Sequence, residues 1–103
     1  MTLIKQLSDM IEEELEGAED YAKSAVMHKD DNPGLAKVFY EISLDEMKHI
    51  NMLHEEVSTM IAEYRREHGE PPGMMMAVYN YLHEKHIDRA NKIKTYQSQY
   101  KQG

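Results

Sequence analysis

The stretch from Phe39 to Leu53, FYEISLDEMKHINML, decides the fold of this 103-residue chain. Phe39, Ile42, Glu46, His49 and Leu53 follow one another at alternating three- and four-residue steps, which is the spacing of one face of an α-helix. Two positions on this otherwise apolar face are ionisable. They are Glu46 and His49, which form an E-x-x-H pair. We therefore predict that both side chains point into a helical bundle.

The segment before this stretch carries a third ionisable group on an apolar line. Positions 7, 11, 14, 18, 21 and 25 follow the same alternating steps, and position 14 is Glu14. Glu14 lies 17 residues before Asp31 in the intervening turn, and Glu46 and His49 lie 15 and 18 residues after it. At a rise of ~1.5 Å per residue, an antiparallel hairpin would bring the three side chains to nearly the same level.

Turn signals divide the chain into three helices. Asn32 can cap a helix that has Pro33 in its first turn, and the EPPG sequence at 70–73 interrupts the helical spacing. We predict helices over 2–29, 33–68 and 74–100, within one domain spanning 1–103. The fold class is all-α, with a long antiparallel helical hairpin followed by a third, C-terminal helix.

Composition argues against several classes of function. The formal net charge of −7 is unsuited to binding the phosphate backbone of nucleic acid. No apolar run approaches the ~18–20 residues needed to cross a bilayer, and residues 1–8 lack the apolar stretch of a secretory signal, so we expect a cytoplasmic protein with no membrane partner. Cysteine is absent, which leaves carboxylates and histidines as the candidate metal ligands.

Two inward carboxylates and an imidazole at one level predict a metal site. Buried charge without a partner costs several kcal/mol, and a divalent cation removes that cost. Di-iron bundles draw a Glu from two helices and a Glu-x-x-His from two others, whereas this chain has one helix of each kind. We expect a homodimer to complete a four-helix bundle, in which two copies of Glu14 and Glu46 balance two Fe²⁺ ions and His49 is a neutral ligand.

The hairpin, over residues 8–57, resembles the ferritin-like superfamily, in particular rubrerythrin-type hairpins and the half-length encapsulated ferritins. The resemblance rests on EELEGAEDY at 13–21 and DEMKH at 45–49. It implies a ferroxidase centre with a di-iron site, formed by Glu14, Glu46 and His49, that oxidises Fe²⁺.

The same resemblance assigns further roles. It implies that Glu46 bridges the two irons across the dimer interface, and that Glu13 and Glu16 are outer metal-binding carboxylates on the path by which iron approaches. The third helix is longer than in the encapsulated relatives, and residues 95–103 contain no recognised docking peptide. Loading into an encapsulin-type compartment is therefore not expected.

Two other interpretations of the site remain open. The same ligands can hold zinc, manganese or calcium and only join two subunits, or Glu14 and Glu46 can pair with basic residues of a neighbour in a metal-free dimer or larger homo-oligomer. Elsewhere, His83 and His86 suit either an H-x-x-H metal pair or hydrogen-bonded core histidines. No role is assigned to three other histidines, His28, His54 and His68.

Overall fold

A computed structural model describes residues 2–102, apart from the Thr2 side chain, as three helices: α1 (Thr2–Met27), α2 (Pro33–His68) and α3 (Gly73–Lys101). The predicted all-α class is confirmed, and residues 2–102 contain no strand. α1 ends two residues earlier than predicted because residues 28–31 form a turn, and α3 extends one residue further at each end. The terminal positions 1 and 103 of the predicted domain lie outside the described residues. None of the three helices has the length and apolarity that crossing a bilayer requires.

Capping residues define both ends of α2. The Asn32 side chain accepts a hydrogen bond from the Leu35 amide at 3.3 Å, and Pro33 occupies the first turn, where its missing N–H costs nothing. At the other end, Gly69 has a φ of 80° and its N–H donates to the Arg65 carbonyl at 3.0 Å. Glycine adopts this backbone conformation without strain, so the helix ends there.

Contacts between α1 and α2 run in opposite chain directions. The Tyr21 ring lies 5.9 Å from the Phe39 ring, measured between centroids, whereas Glu14 contacts His49 further from the turn. As the residue number in α1 falls from 21 to 14, the number of the contacting residue in α2 rises from 39 to 49. The two helices are therefore antiparallel.

α3 returns alongside α1 in the same direction. Glu19 accepts a hydrogen bond from Arg89 at 2.9 Å, and Lys29, in the turn after α1, contacts the Gln102 carbonyl just beyond α3. The three helices form a rod of 55 × 19 × 18 Å.

The core includes Ile11, Ala18 and Ala25 of the line that the sequence predicts for α1, but it extends to one side of that line. Leu15 is fully buried, whereas the Glu14 side chain is 30% exposed and lies at the margin of the core. On α2, the apolar side chains of Leu35 and Val38 are exposed. The buried face of α1 extends to Leu15 because α3 packs on that side, where Ile93 belongs to the same core cluster. The buried residues of α1 and α2 are Ile4, Ser8, Ile11, Leu15, Ala18, Ala22, Ala25, Ala36, Ser43, Ile50, Val57 and Ile61.

Candidate metal centre

Glu14 of α1 and Glu46 and His49 of α2 come together at one level of the bundle. Each offers one donor atom, and the three atoms lie within 4.8 Å of one another. Oε2 of Glu14 is 3.5 Å from Nδ1 of His49. Donors bound to one metal at about 2.0–2.2 Å are separated by no more than about 4.4 Å, so small side-chain rotations would suffice for all three to coordinate a single ion.

Gly17 makes room for the Glu46 carboxylate. A Cβ atom at position 17 would lie 3.6 Å from Oε2 and 3.8 Å from Cδ of Glu46. The carboxylate thus occupies a place on α1 where any side chain larger than methyl would compete with it. The sequence analysis did not single out Gly17. Two signals could have found it: a glycine inside a helix costs about 1 kcal/mol relative to alanine, and Gly17 lies one turn after Glu14.

The carboxylate oxygens of the cluster can accept more hydrogen bonds than they receive. A shared-proton interaction with Glu14, partial burial and the negative charge of Glu14 raise the pKa of Glu46 to about 7, and the charge of His49 opposes this. Within the described residues, Oε2 of Glu14 is inaccessible to solvent and has no hydrogen-bond partner. A buried acceptor of this kind is costly unless a proton or a cation meets it. The residues present therefore fit a divalent cation.

The cluster faces away from α3. Glu14 lies about 140° around α1 from Glu19, the residue that pairs with Arg89 of α3. The His49 side chain is 54% exposed, although Glu14 beside it is largely covered. We call the surrounding surface of α1 and α2 the open flank, and it comprises Met10, Glu14, Gly17, Tyr21, Leu35, Val38, Ile42, Glu46 and His49.

Glu13 and Glu16 are not part of the cluster. The Glu13 side chain is exposed, and Oε1 of Glu16 lies 3.9 Å from Nη1 of Arg89, toward α3. Glu16 is therefore on the far side of α1 from His49. The role of both residues on an approach path for metal stays a prediction.

Comparisons of the chain with known protein families, with curated proteins and with solved structures found no match. The resemblance to the ferritin-like superfamily therefore stays a prediction. What the chain does must be inferred from Glu14, Glu46, His49 and their surroundings.

Proposed function

We propose that the chain binds Fe²⁺ at the Glu14, Glu46 and His49 cluster and, as a homodimer, oxidises it to Fe³⁺. The observation that carries this proposal is the convergence of two carboxylates and one imidazole within 4.8 Å, with one carboxylate oxygen that is buried and accepts no hydrogen bond from the described residues. Anionic oxygen and neutral nitrogen donors together suit intermediate divalent cations such as Fe²⁺ and Mn²⁺.

A second copy of the chain would complete the site. One cluster supplies three donors, whereas a di-iron bundle uses a Glu from two helices and a Glu-x-x-His from two others. The open flank supports this arrangement, because Met10 is 43% exposed and Val38 is 50% exposed there. Packing two open flanks about a two-fold axis would bury these side chains and form a ferritin-like four-helix bundle.

Charge balance favours two ions in such a dimer. Each cluster contributes the carboxylates of Glu14 and Glu46, so two clusters carry four negative charges when fully ionised. Two Fe²⁺ ions neutralise them, and the His49 rings bind as neutral ligands. Without cations the facing carboxylates repel, so the dimer should form more tightly with metal than without it.

Iron in this proposal is the substrate. Two Fe²⁺ ions lose one electron each, and one O₂ molecule takes both electrons with two protons to give H₂O₂. Carboxylate oxygens stabilise Fe³⁺ more than Fe²⁺ because they are hard, anionic donors. The role of Glu14, Glu46 and His49 is to hold two metal ions at a fixed separation in a site partly screened from water.

Glu46→Gln tests the proposal, with Glu41→Gln as a matched control on the outer face of α2. Anaerobic equilibrium dialysis measures Fe²⁺ binding, and near-ultraviolet absorbance after air is admitted measures oxidation. We expect Glu46→Gln to lose both activities and Glu41→Gln to keep both. Equal oxidation by Glu46→Gln and the unaltered chain would show that the site is assigned wrongly.

If the unaltered chain binds Fe²⁺ but does not oxidise it, a different class of function is favoured. The unaltered chain would then be a metal-joined interaction protein, in which zinc, manganese or calcium only links two subunits. Measuring the oligomeric state with each metal under nitrogen distinguishes this alternative, because assembly would then occur without any electron transfer.

A further inference from the structure

Three histidines come together between α2 and α3, on the side of α2 away from the open flank. The His54 ring centroid lies 5.1 Å from that of His83 and 6.0 Å from that of His86. His86 is only 6% exposed, and in the described part of the chain Nδ1 of His83 is inaccessible and has no hydrogen-bond partner. We propose that His54, His83 and His86 form a second metal site, with three imidazole ligands, for a borderline divalent cation such as Zn²⁺.

The ring spacing is close to that of a tetrahedral site. With Zn–N bonds of about 2.0–2.1 Å, each imidazole centroid lies about 3.2 Å from the metal, and two rings at a tetrahedral angle are about 5.2 Å apart. The observed separations from His54 are 5.1 and 6.0 Å. The nitrogens of the three rings do not all lie within 4.8 Å of one another, so metal binding requires the side chains to turn until one nitrogen of each faces a common point.

The helices hold the three rings in place. His83 and His86 are three residues apart on α3, so their side chains project from the same face of the helix. The ring of Tyr79, one turn earlier, stacks on His83 with a centroid separation of 5.7 Å. His54 approaches from α2, so a bound ion would join two helices.

Local electrostatics suit neutral imidazole ligands. Burial is the main cause that lowers the pKa of His54, and the nearby charges of His83 and His86 lower it further. Burial also lowers the pKa of His86, although the negative charge of Glu12 acts in the opposite direction. Neutral rings offer the lone pairs that a metal needs. A set of imidazoles favours Zn²⁺, Ni²⁺ or Cu²⁺ more strongly than the carboxylate-rich first cluster does.

The two sites are separate. His54 follows His49 by five residues, which is about 7.5 Å along α2 and about 140° around it. One ion therefore cannot bind both sets of ligands. An ion in the histidine cluster would fasten α3 to α2, and the sites can be tested independently.

The test uses a chain in which the first cluster is disabled by Glu14→Gln, Glu46→Gln and His49→Asn. We expect Zn²⁺ at a hundredfold excess over its Kd to raise the thermal unfolding midpoint of this chain by roughly 10–20 °C. Co²⁺ added to the same chain should give the intense visible absorption of a tetrahedral site. If Zn²⁺ leaves the midpoint unchanged and Co²⁺ gives no such band, the proposal is wrong.

His54→Phe in that background removes one ligand and keeps an aromatic ring against His83. We expect it to abolish the Zn²⁺-induced shift and the Co²⁺ band. His68→Phe, which alters an exposed histidine at the end of α2, should keep both. An undiminished shift in His54→Phe would overturn the assignment of the ligands. If circular dichroism shows that His54→Phe has lost helix, His83→Gln replaces it in the same comparison.

Discussion

The carboxylate of Glu46 lies beside Gly17, so that a Cβ at position 17 would be 3.6 Å from Oε2. This contact brings an acid of α2 to the surface of α1 at the level of Glu14. A methyl group fits at this distance as an ordinary van der Waals contact, whereas a longer side chain would displace the carboxylate. Gly17 therefore controls the position of Glu46 without being a ligand.

The first prediction concerns Gly17→Leu. The leucine side chain should push the Glu46 carboxylate out of the cluster and weaken Fe²⁺ binding by at least about tenfold, or ~1.4 kcal/mol. Helix content should not fall, because leucine is a better helix former than glycine by up to about 1 kcal/mol. Anaerobic Fe²⁺ titration with circular dichroism measures both quantities.

Gly34→Leu is the matched control for this change. Gly34 lies in the first turn of α2, and no atom is within 4 Å of the place its Cβ would take. Iron affinity should be unchanged in Gly34→Leu. Equal affinity in Gly17→Leu would mean that the position of the Glu46 carboxylate does not matter for binding.

The second prediction concerns the stability of the metal-free chain as a function of pH. The pKa of Glu46 is raised from 4.5 to about 7 by its interaction with Glu14 and by burial. Between these two values the folded state binds more protons than the unfolded state, so this carboxyl lowers the free energy of unfolding as pH rises through the interval. Glu46→Gln should remove this contribution and unfold at a higher temperature than the unaltered chain at pH 8.

Thermal melts in the presence of a chelator, at several pH values from 4.5 to 8, test this prediction. The difference in midpoint between Glu46→Gln and the unaltered chain should grow with pH. Glu41→Gln should show no such growth. A constant difference across the whole interval would contradict the interaction with Glu14 that raises the pKa of Glu46.

The level at which the site forms could be predicted from the sequence. Counting residues from the turn placed Glu14, Glu46 and His49 together because α-helical rise is regular and Asn32 and Pro33 mark where α2 begins. The exposure of the site could not be predicted in the same way. The apolar stripes of α1 and α2 are wider than the faces that these helices bury within one chain. Only the position of α3 shows which part of each stripe belongs to the core.

Other features depended on packing between distant segments. His54 was assigned no role because it lies off the predicted stripe of α2, yet α3 brings His83 and His86 against it. Leu15 was missed as a core residue for the same reason. Such pairings depend on the side on which the third helix packs, and α3 is too weakly amphipathic for its sequence to indicate that side.

The third prediction concerns the ion pair that fixes α3 to α1. Arg89 donates a hydrogen bond to Glu19 at 2.9 Å, and the Glu19 side chain is only 16% exposed. Arg89→Met should lower the free energy of unfolding at pH 7 by about 1–2 kcal/mol, because a charge-assisted hydrogen bond is lost from a partly covered site. Lys5→Met breaks an exposed pair with Asp9 and should have little effect.

The pH dependence of this effect has a definite sign. The hydrogen bond from Arg89 is the main cause that lowers the pKa of Glu19. The stabilisation is therefore present above the ordinary carboxyl pKa of 4.5 and is lost as pH falls through the lower folded-state value. Denaturant melts should show the gap between Arg89→Met and the unaltered chain closing in acid. A gap that persists there would contradict the ion-pair explanation.

The fourth prediction concerns the open flank as a dimer interface. Val38→Lys puts a charge into this surface and should shift the metal-loaded chain from dimer to monomer in sedimentation velocity. Met52→Lys is the control, because Met52 is 68% exposed and lies outside the open flank. Both variants should remain helical. If Val38→Lys and Met52→Lys sediment alike as dimers, the two-fold packing of open flanks is wrong.

The central claim is tested most directly by titrating the metal-free chain with Fe²⁺ under nitrogen and then admitting air. Sedimentation and near-ultraviolet ferric absorbance are followed in the same samples. We expect saturation at about one iron per chain, conversion to a dimer as iron binds, and rapid ferric absorbance once oxygen is present. A chain that stays monomeric at saturating iron and oxidises Fe²⁺ no faster than buffer would contradict the proposed di-iron function.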